Sequence, residues 1–136
     1  AGVNYRIFMP GRKTQEMEKF ETGSRRDSRE GKGRYDLIPW EVIQLLSKRY
    51  ESGALLYGDN NWRKGQPLGR YLDSCLRHLF QHLEGRTDED HDIAALWNLI
   101  AFIWTRLSIQ DKKLPDTLDD IGLIQRFNAK PANPSN

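Results

Sequence analysis

The stretch Asp90-His-Asp-Ile-Ala-Ala-Leu-Trp-Asn-Leu-Ile-Ala-Phe-Ile-Trp-Thr-Arg-Leu107 decides the fold of this chain. Its large apolar side chains point in nearly every direction around a helix, so we expect a helix that is covered on all sides. Fully burying one such side chain contributes about 1.5 to 3 kcal/mol, and leaving several exposed favours aggregation. A domain of this length has little other protein to cover the helix. The sequence therefore predicts a helical bundle that is completed by a second copy of the chain.

Two more helices are predicted ahead of this one. Pro39 suits a first helical turn, and the apolar residues after it recur by steps of three or four, which predicts a helix from Pro39 to about Leu56. A second run at the same spacing predicts a helix from Leu68 to Leu83, closed by a glycine cap at Gly85. The residues expected on the buried stripes are Trp40, Ile43, Leu46, Tyr50 and Ala54 in the first helix, and Leu68, Leu72, Cys75, Leu76, Leu79 and Leu83 in the second.

The segments outside these helices are expected to be less regular. Glycines without a sustained period predict a long irregular arm over residues 22–34, and no stretch shows the alternation of a strand. Beyond Lys113, Pro115 and Asp116 favour a short helix, and the polar end 131–136 is expected to be disordered. We therefore predict an all-α domain at 22–112 with an irregular N-terminal arm, a leader at 1–21, and a short helix with a tail at 113–136.

Composition excludes several classes of protein. With 136 residues, 38% of them hydrophobic, the chain fits one globular domain with a real core. No run approaches the roughly 18 to 20 consecutive apolar residues of a membrane span, and the beginning lacks a secretory signal. A net charge of +2 is too small for a protein that coats nucleic acid. The single Cys75 cannot form an internal disulfide, which fits a reducing compartment such as the cytoplasm. Together these features predict a cytoplasmic protein with no membrane partner and no direct nucleic-acid binding.

Two segments carry side chains suited to a nucleotide. In the arm, Arg26, Lys32 and Arg34 match phosphate oxygens, and glycines let backbone amides approach an anion. A salt-bridged surface loop is the alternative interpretation. Farther along, Asn61 offers an amide for a base edge and Trp62 an aromatic surface for stacking, although Trp62 fits core packing equally well.

Acids and histidines are concentrated around the start of the third helix. Carboxylates at this density are natural ligands of Mg²⁺ or Mn²⁺, whereas helix capping by the Thr and Asp side chains of the turn is the alternative. On the second helix, His78 fits either a packing residue or a metal ligand, and Arg77 fits a phosphate clamp. An unpaired buried amide costs about 1 to 3 kcal/mol, so we expect Asn98 to have a partner. The polar residues of the helix start are Asp88, Asp90, His91 and Asp92.

Five motifs occur in the order and at the spacing of a known family. They are Thr22-Gly23-Ser24-x-Arg26-Asp27, Gly31-Lys32-Gly33-Arg34-Tyr35-Asp36-Leu37-Ile38-Pro39, Tyr57-Gly58-Asp59-x-Asn61-Trp62, Leu76-Arg77-His78-Leu79 and His91-x-x-Ala94-x-x-Trp97-Asn98. In these motifs the chain resembles the MazZ family of phage dATP/dGTP diphosphohydrolases over about residues 20–105. The resemblance implies an all-α, MazG-like enzyme that cleaves dGTP, and also dATP, to the monophosphate and pyrophosphate. In phages that replace adenine with 2-aminoadenine, such an enzyme would supply dGMP as a precursor.

The resemblance also implies a set of site residues. MazG-like enzymes bind metal through a Glu-Glu-x-x-Glu helix and a Glu-x-x-Asp helix, and this chain has neither motif literally. By helix order, Asp88-x-x-His91 lies where Glu-x-x-Asp would be, and Glu51 is a further candidate. The metal ligands implied for Mg²⁺, or for Mn²⁺ or Co²⁺, are His78, Glu84, Asp88 and Asp92, and the catalytic residues are Asp88, His91 and Asp92. The substrate-binding residues implied are Arg26, Lys32, Arg34, Tyr35, Asn61, Trp62, Arg77 and Asn98.

The residues alone leave two other functions open. A non-catalytic phage protein that binds nucleotides or single-stranded nucleic acid would use the same arginines and tryptophans. A structural oligomerisation protein would explain the apolar third helix and leave the polar clusters without a role. All three interpretations predict a homo-oligomer, either a dimer or a tetramer. The enzyme adds a purine deoxynucleoside triphosphate as its partner.

Overall fold

The structure is a computed structural model that describes residues 16–129. The described residues form two compact units, one ending at Trp40 and one beginning at Glu41, and each is described by itself. The described chain is mostly helical with little strand, which confirms the all-α prediction. The expected leader lies mostly outside the described residues, and the tail expected to be disordered lies entirely outside them.

The smaller unit contains two strands that the sequence did not predict. β1 (Met17–Lys19) pairs antiparallel with β2 (Arg25–Asp27), and Glu18 lies opposite Arg26. Gly23, at φ +85°, turns the chain between the strands, a conformation that glycine adopts without strain. The arm expected to be irregular over residues 22–34 therefore contains one short strand, β2. Three residues are too few for an alternation of apolar and polar side chains to mark a strand.

The helices lie close to their predicted positions. They are α1 (Trp40–Tyr57), α2 (Leu68–Leu83), α3 (His91–Gln110) and α4 (Leu123–Asn128), with 3₁₀ turns at Tyr35–Leu37, Asn61–Lys64 and Asp116–Leu118. α1 and α2 begin and end within one residue of the predicted bounds, whereas α3 continues beyond Leu107 because its last turn is buried. The short helix expected after Lys113 forms as the last 3₁₀ turn and α4. The carboxylate of Asp119 accepts hydrogen bonds from the first amides of α4 at 2.9 Å.

The ends of α2 and α3 are held in different ways. Gly85, at φ +79°, closes α2 as predicted, and its N–H donates to the carbonyl of His82. The side-chain cap expected at the start of α3 is absent at Asp90, which makes no capping hydrogen bond in the described structure. The carboxylate of Asp88 instead contacts the ring of His91, and the carboxylate of Asp92 accepts from the backbone N–H of Ile93, so the capping alternative holds at Asp92 and not at Asp90.

α2 packs against α3 through a face that matches the predicted one in part, since Leu68 and Cys75 are buried as expected. The buried residues of α2 are Leu68, Tyr71, Cys75 and His78. Leu76, Leu79 and Leu83 were expected in the core and are exposed, so that part of the prediction was wrong. α2 carries apolar residues on two adjacent stripes, and periodicity alone does not tell which stripe the tertiary packing buries.

α1 buries little of its apolar surface. Leu46 is the buried residue of this helix, whereas Trp40 and Ile43, both expected in the core, are 61% and 48% exposed. Farther along, Tyr50 packs its ring against Trp62 and Trp97. The C-terminal half of α1 is therefore held by aromatic contacts, and much of its other apolar surface is uncovered within residues 16–129.

α3 is the most buried helix of the described residues. α2 and the segment 114–124 cover its core-facing residues, so the chain itself supplies much of the cover that was expected from a second copy. The exposed apolar side chains lie mainly on α1 and α2. By length and composition alone α3 is apolar enough to cross a membrane, but half of that window is buried inside the protein, as in the core helix of a soluble domain.

Gly65 lies where the turn before α2 touches the C-terminal segment. Its backbone, at φ 88° and ψ 143°, is almost closed to other residues, and an added Cβ would lie 2.8 Å from a methyl carbon of Leu118. We expect Gly65→Ala to lower the free energy of unfolding by about 2 to 4 kcal/mol, measured by urea denaturation. Gly53→Ala is the matched control, because its added Cβ meets nothing within 4 Å. Equal losses in the two variants would contradict this expectation.

Candidate active site

Two histidines from different helices meet in the interior of the larger unit. His78 lies on α2 and His91 begins α3, and their Nδ1 atoms are 2.9 Å apart. Both side chains are buried. Glu89, in the turn between the helices, places Oε1 3.2 Å from Nδ1 of His78 and 3.6 Å from Nδ1 of His91. Three side chains that are able to bind a metal ion therefore converge on one point.

Asp88 sets the orientation of the His91 ring. Its Oδ1 lies 2.8 Å from Nε2 of His91, and an ionised carboxylate only accepts hydrogen bonds, so Nε2 carries the proton. This hydrogen bond also holds the pKa of Asp88 below its ordinary value, which keeps the carboxylate charged. In the tautomer whose single proton is on Nε2, His91 presents a lone pair at Nδ1, on the side of His78 and Glu89. His78 donates its Nδ1–H to that lone pair.

Arg49 balances the charge of Glu89. The guanidinium of Arg49, on α1, lies 3.6 Å from Oε2 of Glu89, while Oε1 faces the histidines. Burial lowers the pKa of His78, and the charge of Glu89 opposes that shift. His78 is therefore neutral near pH 7, as a nitrogen ligand of a metal ion has to be.

The structure separates the predicted metal and catalytic residues into two groups. Asp92 is exposed, and its carboxylate accepts a hydrogen bond from the backbone N–H of Ile93 at 2.8 Å. Glu84 is exposed and pairs with Arg86 at 3.2 Å. Neither side chain joins the cluster. The predicted residues that the structure does bring together there are His78, Asp88 and His91.

Sequence reasoning missed two members of this arrangement, Glu89 and Arg49. Glu89 was one of several acids in a single turn, and nothing in their spacing distinguished it from its neighbours. A usable signal was the short connection between α2 and α3, because it brings the end of one helix beside the start of the next. No pattern in the sequence pointed to Arg49, since its role depends on how α1 packs.

A cavity of about 620 Å³ lies elsewhere in the larger unit, between α1, the turn that follows it, and α3. Its volume is that of a small-molecule site, which typically measures about 300 to 1,000 Å³. Glu51, the further candidate on α1, lines this cavity and not the histidine cluster. The aromatic residues that line it are Tyr50, Tyr57, Trp62 and Trp97, and they are accompanied by the amide side chains of Asn60, Asn61 and Gln66.

Trp62 takes part both in the core and in the cavity. Its ring meets that of Trp104 edge-on, with centroids 4.9 Å apart, and lies 6.1 Å from the ring of Tyr50. The guanidinium of Arg63 lies 4.8 Å from the Trp62 centroid. Trp62 therefore packs against other aromatic rings, as one interpretation expected, and it also lines the cavity, where a ligand can contact it.

Asn98 and Arg77 are not among the residues that line the cavity. Asn98 is buried, and its Nδ2 donates to the carbonyl of Ala94 at 2.9 Å. The partner that Asn98 was expected to need is thus its own helix. Arg77 is exposed on α2, and its Nη2 donates to Oγ of Ser74 at 3.0 Å.

The predicted phosphate-binding residues of the arm lie in the smaller unit. Arg34 forms a two-pronged ion pair with Asp36, with both N···O distances at 2.8 Å. This pair raises the pKa of Arg34 and lowers that of Asp36. Arg34 therefore has the salt bridge that the surface-loop interpretation expected. Arg26 lies in β2, and Lys32 and Tyr35 are exposed.

Comparison with known proteins identifies the family. A family model described as dATP/dGTP diphosphohydrolase, N-terminal, matches residues 22–116, which are 95 of the 136 residues. The matched region contains the histidine cluster and the residues that line the cavity. No curated protein and no solved structure matches the chain. Because the match covers well over half of the sequence, the chain belongs to the dATP/dGTP diphosphohydrolase family.

Proposed function

We propose that this chain hydrolyses dGTP, and also dATP, to the monophosphate and pyrophosphate in a reaction that depends on a divalent metal ion. Membership of the family supports the substrate class. The observation that carries the proposal is the convergence of His78, Glu89 and His91 in the same unit as an aromatic cavity of ligand size. A phage origin, and a supply of dGMP for 2-aminoadenine nucleotides, come from the resemblance and belong to the same proposal.

The cavity is the proposed site of the purine base. Tyr50, Trp62 and Trp97 give it aromatic walls, and a base stacked on such a ring gains about 1 to 3 kcal/mol. Asn61 supplies an amide, which has both a donor and an acceptor for the edge of a base. No Lys or Arg is among the described residues that line the cavity, which favours a neutral base there over a triphosphate.

Phosphate oxygens are assigned to cations outside the cavity. Arg77 lies next to His78 on α2, and a guanidinium can donate to two phosphate oxygens at once. In the smaller unit, Arg34 would exchange the carboxylate of Asp36 for phosphate. The other residues that keep their proposed roles in binding phosphate, sugar or base are Arg26, Lys32, Tyr35 and Asn98.

The histidine cluster is the proposed metal site. Its donors are two imidazole nitrogens and one carboxylate oxygen, a set that suits Co²⁺ better than Mg²⁺ or Mn²⁺, which prefer oxygen ligands. A bound divalent ion neutralises phosphate charge and lowers the pKa of a bound water. Asp88 holds the ring of His91 in place, and Arg49 holds the carboxylate of Glu89. Asp92 and Glu84, the other ligands that the sequence predicted, are exposed and lie outside this cluster, so the proposed site does not depend on them.

The active form is proposed to be a cytoplasmic homo-oligomer. Leu76, Leu79 and Leu83 form an exposed stripe on α2, at the spacing of a coiled-coil seam. Single exposed leucines are ordinary, but a continuous stripe marks an interaction surface. A second copy of the same helix presents the same apolar stripe, so two copies can bury it against each other.

A product assay tests the proposed reaction. The purified chain is incubated with each dNTP and NTP, without metal and with Mg²⁺, Mn²⁺ or Co²⁺, and the products are separated by chromatography. We expect dGMP and pyrophosphate from dGTP, and no turnover without metal. Nucleoside with triphosphate, or a diphosphate product, would assign a different reaction. Binding of an oligonucleotide without any hydrolysis would favour the non-catalytic alternative.

Trp62→Ala is expected to raise KM for dGTP about ten-fold, because the base loses an aromatic wall of its site. Steady-state kinetics measure the change, and kcat should fall less than kcat/KM. Trp62→Phe is the control, since it keeps an aromatic face and should restore most of the affinity. If the alanine variant folds and keeps the wild-type KM, the base binds elsewhere.

Asp88→Asn and Asp92→Asn are expected to differ in effect. Asp88 orients the ring of His91 through a 2.8 Å contact, whereas Asp92 faces solvent and holds only a backbone amide. We expect kcat/KM for dGTP to fall about 10 to 100-fold in the first variant and less than about three-fold in the second. Equal losses would extend the metal site to Asp92, as the sequence resemblance implied.

A further inference from the structure

We infer that His78, Glu89 and His91 bind one divalent transition-metal ion, of the Co²⁺ or Zn²⁺ kind, in preference to Mg²⁺. The inference deepens the proposed function, on which it rests for the reaction that the ion would serve. It concerns the identity of the ion and the residues that hold it. It is carried by the distances between the donor atoms, by the orientation of the two rings and by the chemistry of the donors.

The three donor atoms form a triangle of the size that a metal ion requires. Its sides are 2.9 Å between the two Nδ1 atoms, and 3.2 Å and 3.6 Å from these atoms to Oε1 of Glu89. With metal–ligand bonds of about 2.1 Å, two ligands are about 3.0 Å apart at a right angle and about 3.4 Å apart at a tetrahedral angle. The observed sides span these values. Such a triangle occupies one face of the coordination sphere and leaves the other positions to water and substrate oxygens.

The partners of these donors point them at the same place. Because Nε2–H of His91 is bonded to Asp88, its lone pair is at Nδ1, inside the triangle. The two oxygens of the Glu89 carboxylate also have separate partners. Oε2 contacts Arg49, and Oε1 is directed at the histidines. A carboxylate behind a ligating histidine is the usual arrangement at protein metal sites.

Without an ion, a single proton holds the two rings together. His78 donates Nδ1–H to Nδ1 of His91, because the other nitrogen of His91 is already a donor to Asp88. If a divalent ion bound at Nδ1 of His78, the proton now on Nδ1 would move to Nε2, so that His78 would stay neutral as its other tautomer. The competing interpretation is a structural histidine pair that binds no metal, and it makes the opposite prediction in every measurement below.

The donor set selects the class of ion. Mg²⁺ prefers oxygen ligands and keeps several of its waters, whereas imidazole nitrogens suit Co²⁺, Ni²⁺ and Zn²⁺. Affinity for nitrogen-containing sites also rises from Mn²⁺ through Co²⁺ toward Zn²⁺. Two buried imidazoles with one carboxylate therefore favour a transition metal, and the burial of both rings limits how many waters the ion can keep.

Titration with Co²⁺ tests the inference on the full chain, freed of any affinity tag and of metal, and without nucleotide. Calorimetry gives the stoichiometry and Kd, and the visible absorption of Co²⁺ reports its ligands. We expect one Co²⁺ per chain, competition by Zn²⁺, and no displacement by a hundred-fold excess of Mg²⁺. Absence of Co²⁺ binding, or ready displacement by Mg²⁺, would overturn the inference.

Single variants locate the ion. His78→Ala, His91→Gln and Glu89→Gln should each weaken Co²⁺ binding at least about a hundred-fold and change its spectrum. His82→Ala is the matched control, because His82 is exposed on the same helix and belongs to no cluster. Circular dichroism checks the fold. If the variant at a buried histidine does not fold, Glu89→Gln decides, since the Glu89 side chain is 42% exposed. Wild-type affinity in folded Glu89→Gln contradicts the site.

Asp88 is assigned as a positioning residue for His91. Asp88→Asn should weaken Co²⁺ binding about 10 to 100-fold and shift the spectrum, and Asp88→Glu should recover part of the affinity. These binding measurements do not depend on catalysis. If Co²⁺ binds at the three residues and no dNTP is hydrolysed, the metal site stands and the proposed function fails. If dGTP is hydrolysed and the three variants leave Co²⁺ binding unchanged, the proposed function stands and this inference fails.

Discussion

His91→Gln is expected to lower kcat/KM for dGTP about a thousand-fold or more. Glutamine fills much of the space of the buried imidazole, but it removes the Nδ1 lone pair that faces His78 and Glu89. It also breaks the contact of the ring with Asp88. One substitution therefore removes a proposed metal ligand and the link between the two carboxylates around it. Steady-state kinetics with dGTP, in the metal that best supports the wild type, measure the loss.

The control for this variant has to separate chemistry from packing. His91 is 2% exposed, so part of any loss of activity can come from disturbed packing of α2 against α3. Thermal unfolding followed by circular dichroism reports that part directly. His82→Gln makes the same chemical change at an exposed position and should keep wild-type activity. A loss smaller than ten-fold in a normally folded His91→Gln variant would remove this histidine from the proposed mechanism.

Local signals in the sequence predicted the helices well. Gly85 has no Cβ, so it stops α2 at low cost, and the structure places the cap there. Pro39 precedes α1 by one residue for a similar reason, because its fixed φ suits the start of a helix. These positions depend on a few neighbouring residues only. They can therefore be read from the chain before any tertiary contact is known.

Which face of a helix is buried could not be predicted in the same way. On α2, the stripe that continues through Leu76 and Leu79 and the stripe through Tyr71 and His78 have the same period. Which stripe is buried depends on the side chains of α3 that face α2. The stripe with Tyr71 and His78 is buried because Tyr71 packs against Trp97 and His78 contacts His91. The residue types of a stripe do not reveal whether such partners exist on the neighbouring helix.

Only part of the candidate site could be predicted from the sequence, because motifs select residues but do not show which of them meet. The motifs selected His78, Asp88 and His91, which the structure brings together, and Trp62, which lines the cavity. The choice of Glu89 over the other acids required the geometry of the turn. Its carboxylate is the one that lies within 3.6 Å of both rings. Three-dimensional placement, and not residue type, distinguishes a ligand from a solvated neighbour.

Replacing Leu76 and Leu79 together by glutamate is expected to convert the proposed oligomer to a monomer. The two side chains are 51% and 43% exposed on the chain by itself, and their stripe continues to Leu83 at the end of α2. Covering each of them in an interface contributes up to about 1.5 to 3 kcal/mol, and every 1.4 kcal/mol changes Kd about ten-fold. Adding two carboxylates to a self-paired stripe also places like charges opposite each other. We therefore expect Kd for association to rise at least about a thousand-fold.

Light scattering during size-exclusion chromatography measures the change in mass. Phe127→Glu is the matched control, because Phe127 is an exposed apolar residue that belongs to α4 and not to the α2 stripe, and its loss should leave the mass unchanged. The helix should persist in the double variant, since both substituted side chains are exposed and the core residues Tyr71, Cys75 and His78 are unchanged. A monomeric wild type at micromolar concentration would contradict the oligomer itself. An unchanged mass in the double variant would place the interface away from this stripe, and α1, which carries seven other exposed apolar side chains, would be tested next.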